Sequence, residues 1–93
     1  MDPVVARVDA LARSLHERHG RCTRNAIDVL TALAEHGAAA SVGDIARLLL
    51  RRKSRHQIDV VTITRTLARL ITAGLVCSVP DEHPRRRYAL TDR

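Results

Sequence analysis

The chain has 93 residues, a length that suits one compact domain and excludes two. Hydrophobic residues make up 45% of it, more than a disordered segment carries, but without Phe or Trp and with a single Tyr the core must be aliphatic. Sixteen Lys and Arg against ten Asp and Glu give a net charge of +6, which favours a partner rich in phosphate, although solubility alone is the simpler explanation.

Four segments combine a helix-start signal with apolar residues at helical spacing. The start signals are Asp2 before Pro3, Thr23, the Ser41-Val42-Gly43-Asp44 segment, which is similar to a capping box, and Asp59. Gly20, Gly37 and Gly74 end the first, second and fourth of these segments. The predicted helices span residues 1–20, 23–36, 41–52 and 59–73.

The apolar spacing also predicts which face of each helix is buried. These residues are Val4, Val8, Leu11 and Leu15 in the first helix, Ile27, Leu30, Leu33 and Ala34 in the second, Ile45, Leu48 and Leu49 in the third, and Val60, Ile63, Leu67, Leu70 and Ile71 in the fourth. The basic segment 51–57 breaks the pattern and is expected to be a loop.

Residues 75–90 change character, because two β-favouring segments flank the turn sequence 80–84. This predicts a hairpin after the last helix. The expected fold class is mostly α with a small β-hairpin, in the order α-α-α-α-β-β, which is a single winged helix-turn-helix domain over residues 1–93.

Several functions are not expected. Cys22 and Cys77 form no CxxC pair and are expected to be reduced, half-buried residues of a cytosolic protein. The first 20 residues alternate apolar and charged side chains, so we expect no signal peptide and no membrane partner, and a cytoplasmic, nucleoid-associated protein of bacterial or phage type. His16 and His19 alone would make a weak metal site. With no catalytic constellation either, we expect no enzyme, no cofactor and no small-molecule substrate.

Residues 58–67, followed by Ala73-Gly74-Leu75-Val76, resemble the DNA-binding domain of the ferric uptake regulator family. There the recognition helix runs into a Gly-Leu-Val that opens the wing, and the likeness extends over about residues 15–91. Thr64 replaces a base-contacting tyrosine of that family, Asn25-Ala26 replaces a Gln-Arg pair, and Ala39 lies near a metal-ligand position. The resemblance implies the DNA-binding half of such a regulator without its C-terminal half, which binds metal and dimerises.

The predicted recognition helix, 59–73, should enter a major groove with the face opposite its apolar stripe. On a helical wheel, the side chains projecting from that face are Thr62, Arg65, Thr66 and Arg69. Arg65 is the first candidate for a base or phosphate contact, although surface arginines are often simply solvated. Val61 and Thr64 lie beside this face and would either contact thymine methyl groups or fill the edge of the core.

Other basic residues are candidates for contacts to the DNA backbone. Arg85, Arg86 and Arg87 at the hairpin tip would reach the minor groove or a phosphate row, or would only protect a strand edge from aggregation. Arg24, beside the helix start at Thr23, and Lys53, in the basic loop, would contact phosphates, with capping and solvation as the simpler alternatives. Tyr88 is expected to pack inward.

These patterns predict a transcription regulator that binds double-stranded DNA as a homodimer, with half-sites about one helical turn apart. The first helix would supply the dimer contact, because Val4, Val5, Val8, Leu11 and Ala12 exceed what one packed helix needs; packing on the same domain is the alternative. Two other functions stay open: a winged-helix module that binds another protein, and an architectural protein that binds DNA without sequence preference.

Overall fold

Four helices precede a two-stranded antiparallel sheet in a computed structural model of the chain, which describes residues 2–51, 58–79 and 86–91. The helices are α1 (Pro3–His19), α2 (Arg24–His36), α3 (Val42–Arg51) and α4 (Val60–Thr72), and the strands are β1 (Val76–Val79) and β2 (Arg87–Leu90). The predicted fold class, a mostly helical winged helix-turn-helix with a small hairpin, is confirmed.

Three of the helix starts are fixed by side-chain caps on backbone N–H groups that the helix itself leaves without partners. The carboxylate of Asp2 accepts from the Val4 N–H at 2.9 Å, the Thr23 hydroxyl from the Ala26 N–H at 3.1 Å, and the carboxylate of Asp59 from the Thr62 N–H at 2.7 Å. The cap residues identified in the sequence therefore do begin these helices.

The start of α3 is a reciprocal capping box between Ser41 and Asp44. The Asp44 N–H donates to the Ser41 hydroxyl at 3.1 Å, and the Ser41 N–H donates to the Asp44 carboxylate at 3.1 Å. The backbone N–H of Ser41, followed by the guanidinium of Arg47, lowers the pKa of Asp44 to about 2. The charged form of Asp44 is therefore favoured in the folded chain.

Replacing Asp44 by alanine is expected to lower the free energy of unfolding by about 1 kcal/mol at neutral pH, because the variant loses one half of the box. A lowered pKa contributes stability that is present above the unfolded value of 3.8 and is lost as the pH falls toward about 2, so the difference between parent and variant should shrink in that window. Urea unfolding across this range measures it. Asp9→Ala, at an exposed position of α1, removes the same charge and should show no such difference; equal losses in both variants would contradict the capping role.

The core is aliphatic and is organised around α2, which packs against α1, α3, α4 and β2. Its largest fully buried side chains are Leu15, Val29, Leu30, Ile45, Ile63, Leu67, Leu70 and Val76. Three side chains expected in the core are instead exposed. Ile27 lies on the outer side of α2, and Val60 and Ile71 lie in the first and last turns of α4, where neighbouring elements no longer cover the helix. The prediction of burial was therefore wrong at these three residues.

The hairpin is joined to the helical core by a backbone bridge to Ala40, which lies just before α3. β1 and β2 pair with Val76 opposite Leu90 and Val79 opposite Arg87. Beyond this sheet, the backbones of Ala40 and Tyr88 exchange two hydrogen bonds of 2.8 Å, which ties the segment before α3 to β2. Tyr88 is half-buried against the core, as predicted. The wing is thus held to α3 as well as to α4.

Gly74 makes the turn from α4 into β1. Its φ of 80° lies in the left-handed region that glycine adopts without steric cost, and the following Leu75 N–H donates back to the Leu70 carbonyl at 3.0 Å. The hydroxyl of Thr91 donates to the Gly74 carbonyl at 2.6 Å. This turn therefore fixes the direction in which the wing leaves α4.

Candidate nucleic-acid interface

The helix α4 is docked on the domain by one side and open on the other. Ile63, Leu67 and Leu70 are buried in the core. The exposed side chains opposite them are Val61, Thr64, Arg65 and Ala68, which we call the α4 outer face. They are spaced three and four residues apart and so form one continuous surface along the helix.

This surface is rotated from the one predicted. Thr64 and Arg65 lie on it, whereas Thr62, Thr66 and Arg69 are half-buried, because the domain covers the flank of α4 beside the core stripe. Counting the exposed Val60 and Ile71 as core residues had displaced the expected face, and Ala68 was missed because alanine carries no chemical signal of its own. Its position opposite the buried stripe was the available signal.

Two hydroxyl groups of α4, those of Thr64 and Thr66, are engaged with the backbone. Thr64 donates to the Val60 carbonyl at 2.9 Å, and Thr66 donates to the Thr62 carbonyl at 2.7 Å. Threonine makes this bond to the preceding turn of its own helix. The donor of Thr64 is therefore already used, although its side chain is exposed.

Arg69 points to the domain itself. Its guanidinium donates to the backbone carbonyl of Arg21, in the connection between α1 and α2. The adjacent Cys22 is half-buried, and burial raises the pKa of its thiol while the charge of Arg69 partly opposes that shift. The contact holds the C-terminal half of α4 against the start of α2, so Arg69 has a structural role in addition to any role at a groove.

The N-terminus of α4 carries a charged cap. Hydrogen bonds from the hydroxyl and the N–H of Thr62 lower the pKa of Asp59, and the nearby charge of Arg65 lowers it further. Asp59 is therefore ionised at neutral pH and faces the positive end of the helix dipole. Arg65 remains exposed beside it.

A cleft of about 670 Å³ separates α4 from the wing. Its lining combines the start of α3, the first residue of α4 and the start of β2, namely Ser41, Val42, Gly43, Arg47, Val60, Arg86 and Tyr88. Arg47 is paired with Asp44, whereas Arg86 is exposed. Because Val60 and Arg86 line one cleft, the wing and the N-terminal end of α4 lie on the same side of the domain.

The remaining predicted contact residues belong to other parts of the chain. Arg24 is exposed in the first turn of α2, and Arg87 is exposed at the start of β2, where its guanidinium donates to the Ala39 carbonyl at 3.4 Å. Arg85 and Lys53 lie outside the described residues. In the described part of the chain, no group of three or more His, Cys, Asp or Glu side chains is placed to hold a metal ion.

Sequence comparison assigns the family. Residues 23–87, more than half of the chain, match the sequence profile of the MarR family. The chain belongs to the MarR family. MarR winged-helix domains are DNA-binding transcription regulators and not enzymes. The matched region includes α2, α3, α4, β1 and the first residue of β2, and so contains the whole α4 outer face.

A solved structure shows the same fold. It is the ferric uptake regulator of Helicobacter pylori, a protein with three functional metal binding sites. The similarity covers 96% of the present MarR-family chain, with a TM-score of 0.69 and 17% sequence identity. The chain spans 58% of the length of that protein. At this identity the likeness is one of fold, so the resemblance noted in the sequence holds at the level of the winged helix. No curated protein matches the chain in sequence.

None of the helices in the described ranges is long and apolar enough to cross a bilayer.

Proposed function

We propose that this MarR-family domain reads duplex DNA by placing α4 in the major groove and the arginines of the wing on the adjacent backbone, as a homodimer formed through α1. The observation that carries the proposal is the placement of Arg65 and Arg86. Both are exposed, Arg65 on the α4 outer face and Arg86 in the lining of the cleft between α4 and the wing. A cationic helix and a cationic wing on one side match the groove and phosphate rows of one duplex.

The charge of the chain supports the same function. The net charge of +6 attracts phosphate regardless of base sequence, and Arg24 is exposed in the first turn of α2, next to the backbone N–H groups of that helix start. Phosphate contacts of this kind orient a protein on DNA, whereas contacts from α4 would select the sequence. The two sets of residues are separate on this domain, so their contributions can be measured separately.

Binding to a random duplex is expected to weaken by about 100-fold between ~50 and ~200 mM salt, as about four released counterions would require. Fluorescence anisotropy with a labelled duplex at several salt concentrations gives the slope directly. The same titration with an acidic polymer that lacks bases separates simple charge attraction from duplex binding. No binding at the lowest salt would contradict the proposal and favour the protein-binding alternative.

The dimer part of the proposal rests on the apolar residues of α1 that the domain leaves uncovered. Val8 and Leu15 are buried, but Val5 is 48% exposed and Ala12, seven residues along the same flank, is half-buried. The domain measures 35 × 28 × 25 Å. These dimensions are comparable with one turn of DNA, ~34 Å, the separation expected between the two recognition helices of a dimer.

Replacing Val5 by aspartate is expected to convert the dimer to a monomer, because a charge would be buried without a partner in the contact. Sedimentation equilibrium measures the mass. The matched control is Val61→Asp, which introduces the same charge at a valine of similar exposure, 58%, on the α4 outer face and should leave the mass unchanged. A parent protein that is monomeric at the highest usable concentration would contradict this part of the proposal.

A further inference from the structure

The α4 outer face offers little to a hydrogen-bonding partner apart from Arg65. Val61, at its N-terminal end, is 58% exposed, and Ala68 is exposed one turn beyond Arg65 on the same side. Thr64 is exposed, but its hydroxyl proton is held by the Val60 carbonyl. What this surface presents is one guanidinium among methyl groups.

Helix stability does not account for these residues. The first five residues of α4, Val60-Val61-Thr62-Ile63-Thr64, are all β-branched, a class that loses side-chain freedom in a helix and is less favourable there than Ala, Glu or Lys. Ile63 is buried and contributes to the core, but Val61 and Thr64 are exposed and do not. Methyl-bearing, stiff side chains at these exposed positions are suited to a surface that a ligand covers.

The major groove has one apolar group that suits such a surface. Base edges there carry hydrogen-bond donors and acceptors, and the exception is the C5-methyl group of thymine, which contacts the methyl groups of alanine and threonine side chains. A C5-methylated cytosine carries the same group at the same place. The cation among the methyl groups fits guanine, whose O6 and N7 both accept from one arginine.

We infer that the α4 outer face reads the C5-methyl groups of pyrimidines that neighbour a guanine bound by Arg65. Val61 lies four residues before Arg65 and Ala68 three residues after it, about 5–6 Å away in each case, which falls between the spacing of adjacent bases on one strand, ~3.4 Å, and that of bases two steps apart, ~6.8 Å. The inference rests on the proposed function, since it requires α4 to enter the groove. It identifies Val61, Thr64 and Ala68 as residues that determine specificity.

The test removes single methyl groups from the DNA. A preferred duplex is selected from a random pool, and each thymine is then replaced by deoxyuridine, which keeps every hydrogen-bonding group and loses only the methyl. Binding is expected to weaken about three- to fivefold at each contacted position, the effect of one buried methyl group. At a contacted cytosine, C5 methylation should strengthen binding by a similar factor.

Combining protein variants with the thymine and deoxyuridine duplexes shows which side chain contacts each methyl group. Val61→Ala should bind the thymine and deoxyuridine duplexes equally at one position, while Leu50→Ala, at a side chain on α3 that is 68% exposed, should keep the full ratio of the parent. A parent that binds its preferred site but does not distinguish thymine from deoxyuridine anywhere would overturn the inference and leave the proposed function intact. No duplex binding at all would overturn both.

Discussion

Replacing Arg65 by alanine is expected to weaken binding to the preferred duplex about 100-fold and binding to a random duplex only a few-fold. A bidentate arginine–guanine pair contributes about 1–3 kcal/mol of discrimination against other bases, and in a dimer the residue is lost from both half-sites. On a random duplex the variant loses only one phosphate-directed charge per subunit, which has a small effect. Competition between the two duplexes at one fixed salt concentration measures both numbers.

Two matched variants separate charge from recognition. Arg65→Lys keeps the charge but not the two-pronged geometry, so it should restore binding to random duplex and leave most of the specific loss. Arg18→Ala removes the same charge from an exposed position near the end of α1 and should reduce binding to both duplexes slightly and equally. An Arg65→Ala variant that behaves like Arg18→Ala would show that Arg65 contributes only charge.

The elements of this fold were predictable because their signals are local. Asp2, Thr23, Ser41 and Asp59 each cap a helix within three residues of their own position, and Gly74 turns the chain where the sequence predicted the end of the fourth helix. Such signals depend on the backbone next to the residue, so one sequence suffices to find them. The order of helices and hairpin followed from these signals together with the apolar spacing and the β-favouring segments of residues 75–90.

The face of α4 was less predictable because it depends on contacts between distant parts of the chain. Arg69 is directed to a carbonyl 48 residues earlier, and the wing is joined to the segment before α3 through Ala40 and Tyr88. Nothing near Arg69 in sequence distinguishes it from Arg65, which stays exposed. Helical periodicity locates the centre of a buried stripe, but the neighbouring elements decide how far the burial extends around the helix.

A short segment of sequence also indicated the fold of this chain better than its family. Residues 58–76, which run from the start of α4 into the wing, suggested the ferric uptake regulator family, and the fold agrees with that resemblance. The match over residues 23–87 places the chain in the MarR family. A recognition helix followed by a short turn and a strand meets the same packing requirements in both, so this segment indicates the fold better than the family.

A large effect on stability is expected at Leu67, which joins α4 to the core. Leu67 is 1% exposed, and its replacement by alanine removes most of a buried side chain, so the free energy of unfolding should fall by about 3 kcal/mol. That is a large part of the ~5–15 kcal/mol typical of a single domain. Urea unfolding at one protein concentration measures the loss, and Leu50→Ala, the same substitution at an exposed position, should change it by less than ~0.5 kcal/mol.

The same pair of variants distinguishes a residue that only packs α4 against the core from one that affects sequence recognition. If Leu67 only holds α4 in place, Leu67→Ala should bind the preferred duplex with an affinity reduced by no more than its unfolded fraction explains, and should keep the parent's preference over random duplex. A loss of that preference in fully folded Leu67→Ala would mean that α4 shifts when its anchor is removed. A loss of stability in Leu50→Ala as large as that in Leu67→Ala would instead mean that Leu50 is covered in solution, by a second copy or another segment, and that α3 is part of an interface.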